Sequence, residues 1–189
     1  MLKFFLFLIA CVCIPFVISW RGLMLGPGEW LVLHIGHCEN PEKYEVVYEI
    51  IRKKINRTHD SYDIIIQLEK EFNSSYGILV DVYQEVDGGF KYFQSLSDNS
   101  ACSFLMKHAE ANIKRAYRMA NIDPPDCPYG PGPIIIRNFV MNYREFPKHA
   151  IYGTFQVYAF TTYKKKKDSC VKIILNFDQR NDDDDFSLI

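Results

Sequence analysis

The sequence predicts a mainly β protein with about eight antiparallel strands and one α-helix inserted at about residues 100–120. Three observations support this fold class. Apolar and polar residues alternate with a period of two along most of the chain, as in strands that are buried on one face. Only one long segment has the helical period of about 3.6 residues. Aromatic residues make up 15% of the chain, and aromatic side chains are favoured in strands.

The first segment, residues 1–19, is interpreted as a cleaved secretory signal. Lys3 supplies an early positive charge, an apolar run extends over 4–18, and the small residue Ser19 suits a cleavage site. A signal anchor is the alternative. The run has fifteen residues and contains Pro15, whereas a membrane-spanning helix needs roughly twenty apolar residues. We therefore expect a secreted, extracellular protein.

The rest of the chain predicts one domain at 20–180, because its length suffices for a single sizeable core, and an acidic disordered tail at 181–189. The tail contains "DDDD", but it lacks the glycine and terminal glutamate of a calcium-binding loop. The net charge of the whole chain is −1. A nearly neutral chain argues against nucleic acid as a partner.

Cysteines and glycosylation sequons agree with secretion. Four cysteines follow the signal segment: Cys38, Cys102, Cys127 and Cys170. An even number in an oxidising compartment predicts two disulfides, and spacing alone leaves all three pairings open. The sequons "NRT" and "NSS" make Asn56 and Asn73 candidate glycan acceptors.

Strands are predicted in eight segments: "EWLVLHIGHC", "KYEVVYEIIRKKI", "YDIIIQLEKEF", "YGILVDVYQEV", "FKYFQSL", "IIIRNFV", "AIYGTFQVYAFTTY" and "SCVKIILNF". The second segment also fits a helical period, but its β-branched residues favour a strand. "DGG" at 87–89 predicts a tight hairpin turn. The run "KKKKD" lies where another hairpin should turn; a solvated turn is the expectation and a contact with lipid headgroups the alternative.

The segment "SACSFLMKHAEANIKRAYRMAN" predicts the helix. One stripe of its surface is apolar: Ala101, Leu105, Ala109, Ile113, Ala116 and Ala120. Asn99 or Ser100 can cap its start, and Asn121 with the prolines of "IDPPDCPYGPGP" should end it. We expect the apolar stripe to lie on the sheet.

No combination of residues predicts catalysis, a metal or a cofactor. In "HIGHCE", a strand would direct His34 and Cys38 to one face and His37 to the other, so the three do not converge on one point. Asp60 and Asp63 are interpreted as solvated carboxylates. Motifs for nucleotide binding, serine hydrolysis and zinc hydrolysis are absent from the sequence. The expectation is a non-enzymatic protein.

The order of short motifs resembles a known family. "CSFL" starts the helix, "CPYGPG" follows it, and "FP" at 146–147 precedes the final hairpin. This order is similar to insect CheA/CheB-type secreted proteins, a divergent branch of the ganglioside-activator-like and ML lipid-recognition proteins. The resemblance covers most of the chain after the signal segment and is best over about 101–177.

The resemblance implies an antiparallel two-sheet β-cup or sandwich around a cavity for a lipid or another hydrophobic small molecule. It also implies a carrier or presenter with a chemosensory or pheromone-related role. It pairs Cys102 with Cys127 across the helix and Cys38 with Cys170 between an early and a late strand. Contact with a receptor or a membrane surface is a further expectation.

Patterning cannot separate a cavity from a packed core, because inward side chains are apolar in both. The alternative is therefore a secreted interaction module with a solid core that acts on a receptor or cell-surface protein. If a cavity exists, its expected wall lies on the alternating apolar faces and the helix stripe: Ile64, Ile66, Val80, Val82, Leu105, Ile113, Phe155, Val157, Ile173 and Leu175.

Overall fold

A computed structural model describes residues 24–55 and 60–179, which form eleven β-strands, one α-helix and two short 3-10 helices. The strands are β1 (Leu25–Pro27), β2 (Glu29–His37), β3 (Val47–Lys54), β4 (Asp60–Leu68), β5 (Gly77–Val86), β6 (Gly89–Asp98), β7 (Gly132–Phe139), β8 (His149–Ile151), β9 (Gly153–Tyr163), β10 (Lys166–Lys167) and β11 (Val171–Asp178). The helix α1 is Ala101–Met119, and the 3-10 helices are Pro41–Lys43 and Tyr143–Glu145. The expected signal segment, the sequon at Asn56 and the acidic tail lie outside the described residues.

Two antiparallel sheets form the body of the protein. The large sheet has the strand order β2-β11-β9-β5-β6, with β10 paired to β9, and the small sheet has the order β3-β4-β7. A third, two-stranded sheet joins β1 to β8. Every strand pair among the described residues is antiparallel. The predicted mainly β fold with one inserted helix is confirmed.

Eight of the strands are at least eight residues long, and they match the eight predicted segments. The ambiguous segment "KYEVVYEIIRKKI" contains β3, as its β-branched residues indicated. The additional strands β1, β8 and β10 have two or three residues, which is too short to show an alternating pattern. The lysine run forms the turn between β9 and β10, where Lys164 and Lys165 adopt positive φ angles of 48° and 67°.

Helix α1 begins and ends where local chemistry dictates. The Ser100 side chain caps its start by accepting a hydrogen bond of 3.2 Å from the backbone N–H of Ser103. The backbone departs from helical geometry at Ala109, with φ −152° and ψ 37°. Beyond the last turn, Asn121 adopts the left-handed conformation with φ 59°, which asparagine tolerates better than most residues.

The main core lies between the large and small sheets, with α1 packed against it. Its buried side chains come from both sheets, from the helix and from the loops beside it: Val32, Tyr62, Leu68, Phe72, Tyr76, Ile78, Ala101, Ala116, Tyr129, Ile134, Ile136 and Phe139. Disulfides fix two edges of this assembly. Cys38 pairs with Cys170, and Cys102 pairs with Cys127, which are the pairs that the family resemblance implied.

A candidate apolar binding cavity

A cavity of about 240 Å³ lies between the two sheets and is partly open to the outside. Helix α1 closes one side of it. Its walls come from the small sheet and the preceding loop (Val46, Tyr48, Ile50, Ile64, Ile66, Leu68, Ile134), the large sheet and adjoining loop (Ile78, Ala159, Phe160, Thr161, Ser169, Val171), the helix (Ala101, Leu105, Tyr117) and two loops (Phe72, Tyr129). The lining is therefore almost entirely aliphatic and aromatic.

Residue size along β9 explains why the interior is hollow at one end. Phe155, Val157, Ala159 and Thr161 follow one another at alternate positions and so share a face of the large sheet. The first two are large and buried, at 5% and 9% exposure. The next two are small, and they line the cavity. Large side chains thus fill the space at one end of the sheet, and small ones leave it open at the other.

Three of the ten predicted wall residues line the cavity: Ile64, Ile66 and Leu105. The other seven lie outside this lining: Val80, Val82, Ile113, Phe155, Val157, Ile173 and Leu175. Val80, Ile173 and Leu175 pack against the main core instead. The physical reason is that alternation identifies the face of a strand but not the position along it at which packing stops.

Aromatic and aliphatic residues both contribute to the part of the wall that the prediction missed, and the aromatic ones are Tyr48, Phe72, Tyr117, Tyr129 and Phe160. Phe72 stacks on Tyr76 with ring centroids 4.7 Å apart, and Tyr117 stacks on Tyr129 at 4.1 Å. Phe72 and Tyr129 also form an isolated antiparallel bridge between two loops. Phe72 and Tyr129 lie in loops and belong to no periodic pattern, so only their aromatic character could have drawn attention to them.

The disulfide Cys102–Cys127 holds this aromatic wall in place. Cys102 lies in the first turn of α1, and Cys127 precedes Tyr129 by two residues in the proline-rich loop. Backbone hydrogen bonds of 2.9 and 2.8 Å between Phe72 and Tyr129 complete the connection to the small sheet. This disulfide therefore anchors the loop that brings the Tyr129 ring to the cavity wall.

Polar atoms on the wall are bonded to each other or to the backbone. The Tyr48 hydroxyl donates to the carbonyls of Cys170 and Gly36, and burial raises the pKa of Tyr48 to about 12. Thr161 and Ser169 share a hydrogen bond of 2.7 Å between their hydroxyls. Burial also raises the pKa of Tyr117. Phenols held neutral and internally bonded present little polarity to a ligand.

A polar pocket of about 20 Å³ adjoins the cavity and shares Val46 and Leu68 with it. We call it the mouth pocket; its remaining lining residues are Glu45, Glu69, Lys70, Tyr76 and Asp168. The Lys70 ammonium lies 3.7 Å from the Glu45 carboxylate. Charged groups thus cluster beside one end of an otherwise apolar cavity.

The histidines and cysteines of "HIGHCE" have structural contacts. The His37 ring stacks on Tyr48 at 4.7 Å, and Cys38 is bonded to Cys170. Within 24–55 and 60–179, no three His, Cys, Asp or Glu side chains are grouped so that they could hold a metal ion. The same residues contain no helix with the length and hydropathy required to span a bilayer.

Several chains of solved structure are similar to this protein. No protein-family model matches the chain. No curated protein matches it either. The crystal structure of chicken MD-1 complexed with lipid IVa is similar with a TM-score of 0.32 and 10% sequence identity, over 79% of this chain and 98% of MD-1. The fold assignment stands on the strands and helix of this chain, and membership of the CheA/CheB-type family stays a prediction.

Proposed function

We propose that this protein is a non-enzymatic binding protein for a hydrophobic small molecule or lipid, which it holds between its two sheets. The observation that carries the proposal is the apolar cavity of about 240 Å³. Ligand sites are typically concave and lined mainly by aliphatic and aromatic side chains, with few polar groups. An empty apolar space of this size costs stability unless a ligand fills it, since its lining lacks packing partners.

Cavity size restricts the ligand. Sites for drug-sized molecules occupy roughly 300–1,000 Å³, and this cavity lies just below that range. A single medium-length chain or a compact apolar molecule fits such a volume better than a lipid with several acyl chains. The cavity also favours ligand binding over the alternative function, that of an interaction module with a solid core.

The proposal also includes secretion of the protein and a role as a carrier of its ligand. Two disulfides agree with an oxidising compartment. Asn73 lies in a turn, where its side chain accepts a hydrogen bond of 3.0 Å from the backbone N–H of Ser75, and it remains the candidate glycan acceptor among the described residues. A chemosensory or pheromone-related role, and contact with a receptor or membrane, rest on the family resemblance.

The decisive experiment identifies the ligand. The protein is expressed in eukaryotic culture and purified without detergent, and its organic extract is compared by mass spectrometry with an extract of purification buffer. We expect a hydrophobic molecule in stoichiometric amount. A neutral fluorescent probe, N-phenyl-1-naphthylamine, should bind saturably to the delipidated protein. Absence of both a co-purified molecule and saturable probe binding would contradict the proposal.

A further inference from the structure

The mouth pocket contains a buried carboxylate without a partner. Asp168 is only 6% exposed. Both of its backbone polar groups are hydrogen-bonded. Its N–H donates to the Thr161 carbonyl at 2.8 Å, and its carbonyl accepts from the Val46 N–H at 3.0 Å. Among the described residues, no side chain forms a hydrogen bond or ion pair with its carboxylate oxygens, and since no side-chain oxygen there is both fully enclosed and unpaired, these oxygens open onto the pocket. A buried carboxylate normally accepts hydrogen bonds, so this one has unused acceptor capacity.

The neighbouring charges are mostly negative. Glu45 and Glu69 line the same pocket as Asp168, and Lys70 is the one cation among its lining residues. The Lys70 ammonium lies toward Glu45, at 3.7 Å, and forms no ion pair with Asp168. Burial and the Glu45 carboxylate raise the pKa of Asp168, while Lys70 opposes them. The pocket therefore has a surplus of acceptors over donors.

The lysine run does not supply the missing donor. Lys167 immediately precedes Asp168 in the chain, but its ammonium lies over the ring of Phe160, 3.4 Å from the centroid. That ammonium is also 3.9 Å from the Asp81 carboxylate. Lys164 lies over the ring of Tyr163 at 5.3 Å. These contacts direct the positive charges to aromatic rings and to another strand.

We propose that the mouth pocket binds the polar end of the ligand, and that this end is a hydrogen-bond donor, an ammonium or hydroxyl group, rather than a carboxylate or phosphate. The inference rests on the proposed function, since the apolar part of the ligand would occupy the adjoining cavity. Val46 and Leu68 line both spaces, so one amphiphile can fill the cavity with its chain and reach Asp168 with its head. The predicted ligand class is a single-chain amine or alcohol.

Charge accounts for the selectivity. A hydrogen bond to an ionised acceptor is about twice as strong as a neutral one, and it gains further in a site shielded from water. An anionic head would instead face the carboxylates of Glu45, Glu69 and Asp168 with Lys70 already engaged. Like charges brought close together oppose binding, most strongly beside Asp168, which is only 6% exposed.

The test compares three amphiphiles of equal chain length. Decylamine, decanol and decanoate compete with N-phenyl-1-naphthylamine for the delipidated full-length protein at neutral pH. We expect decylamine and decanol to displace the probe at concentrations about tenfold lower than decanoate, the ratio expected for one charge-assisted hydrogen bond. Asp168→Asn should reduce the preference for decylamine over decanoate by about tenfold.

Matched variants separate a local effect from a general loss of charge. Asp178→Asn makes the same chemical change at the other end of β11, on an exposed residue, and should leave the preference unchanged. Glu45→Gln alters a side chain that is 71% exposed, so it tests the pocket without endangering the fold should Asp168→Asn fail to express. It should reduce the preference for decylamine in the same direction as Asp168→Asn.

The outcomes distinguish this inference from the proposed function. Failure of the probe to bind, or of every amphiphile to displace it, would overturn the proposed function and this inference with it. Equal displacement by all three amphiphiles, or tighter binding of decanoate, would overturn this inference and leave apolar binding intact. A preference for decylamine that persists in both Asp168→Asn and Glu45→Gln would also overturn it.

Discussion

The hydroxyl of Tyr48 donates a hydrogen bond to the main-chain carbonyl of Cys170 and so joins the small sheet to the large one. The same hydroxyl lies 3.2 Å from the carbonyl of Gly36 on β2. Its ring lines the cavity and stacks on His37. One side chain therefore links the two sheets beside the cavity.

Tyr48→Phe should destabilise the protein by about 1–2 kcal/mol, because it leaves two partly buried carbonyls without this donor. Urea unfolding monitored by circular dichroism measures the change. Tyr83→Phe is the matched control, since the Tyr83 ring makes edge contacts with Tyr92 and Tyr158 at 5.8 Å each. Equal stability of the two variants would show that the inter-sheet hydrogen bond contributes nothing.

The disulfide between Cys102 and Cys127 closes a loop with a sequence separation of 25 residues. Replacing both cysteines by serine should lower the free energy of unfolding by about 3–4 kcal/mol, since the cross-link restricts the unfolded chain. Denaturant titration under oxidising conditions checks this value. Probe binding should weaken as well, because Tyr129 loses its covalent anchor. A double variant with the stability of the parent protein would show that this disulfide does not stabilise the fold.

A bulkier residue should weaken binding when it is placed in the cavity and lower stability when it is placed in the packed core. Ile66 lines the cavity, whereas Ile136 on the neighbouring strand is 4% exposed and lies in the core. Ile66→Phe should reduce probe binding with little loss of stability. Ile136→Phe should destabilise the fold by about 1–3 kcal/mol through overpacking. If Ile66→Phe destabilises as strongly as Ile136→Phe, the interior is solid at that position.

Asp63 connects the strands of the small sheet and should make stability depend on acid. Its carboxylate accepts from Lys53 at 2.6 Å, from the Asn138 N–H at 2.8 Å and from Arg137 at 3.3 Å. These bonds lower the pKa of Asp63 to about 2 from an ordinary value of 3.8. The unfolded chain therefore takes up this proton at a higher pH than the folded protein does.

The contribution of Asp63 is thus present above about pH 4 and is lost as the pH falls toward 2. We expect Asp63→Asn to lower the melting temperature at neutral pH and to differ little from the parent protein at the acid end. Glu110→Gln is the control, because Glu110 forms an exposed pair with Lys114 at 2.5 Å, and such pairs contribute little. A melting-temperature difference for Asp63→Asn that is independent of pH would exclude this role.

Much of the fold could be predicted from local patterns. The alternation in β3, β4 and β9, the "DGG" turn and the cap at Ser100 follow from chemistry within a few residues. The candidate site could be predicted only in part. Ile64, Ile66 and Leu105 line the cavity, whereas Val157 and Leu175 share the same patterns and lie elsewhere. Phe72 and Tyr129 reach the cavity from loops, where no periodicity identifies them.

The sequence by itself determined which residues form the eight long strands, which face of those strands is apolar, and where the helix starts and stops. Those properties depend on neighbours one to four residues away along the chain. Tertiary structure decided that Ala159 and Thr161 face the interior opposite Ile64 and Ile66, and that Asp168 lies beside Glu45. A cavity is the space left where small side chains from distant segments meet, and its volume becomes defined only when the two sheets pack.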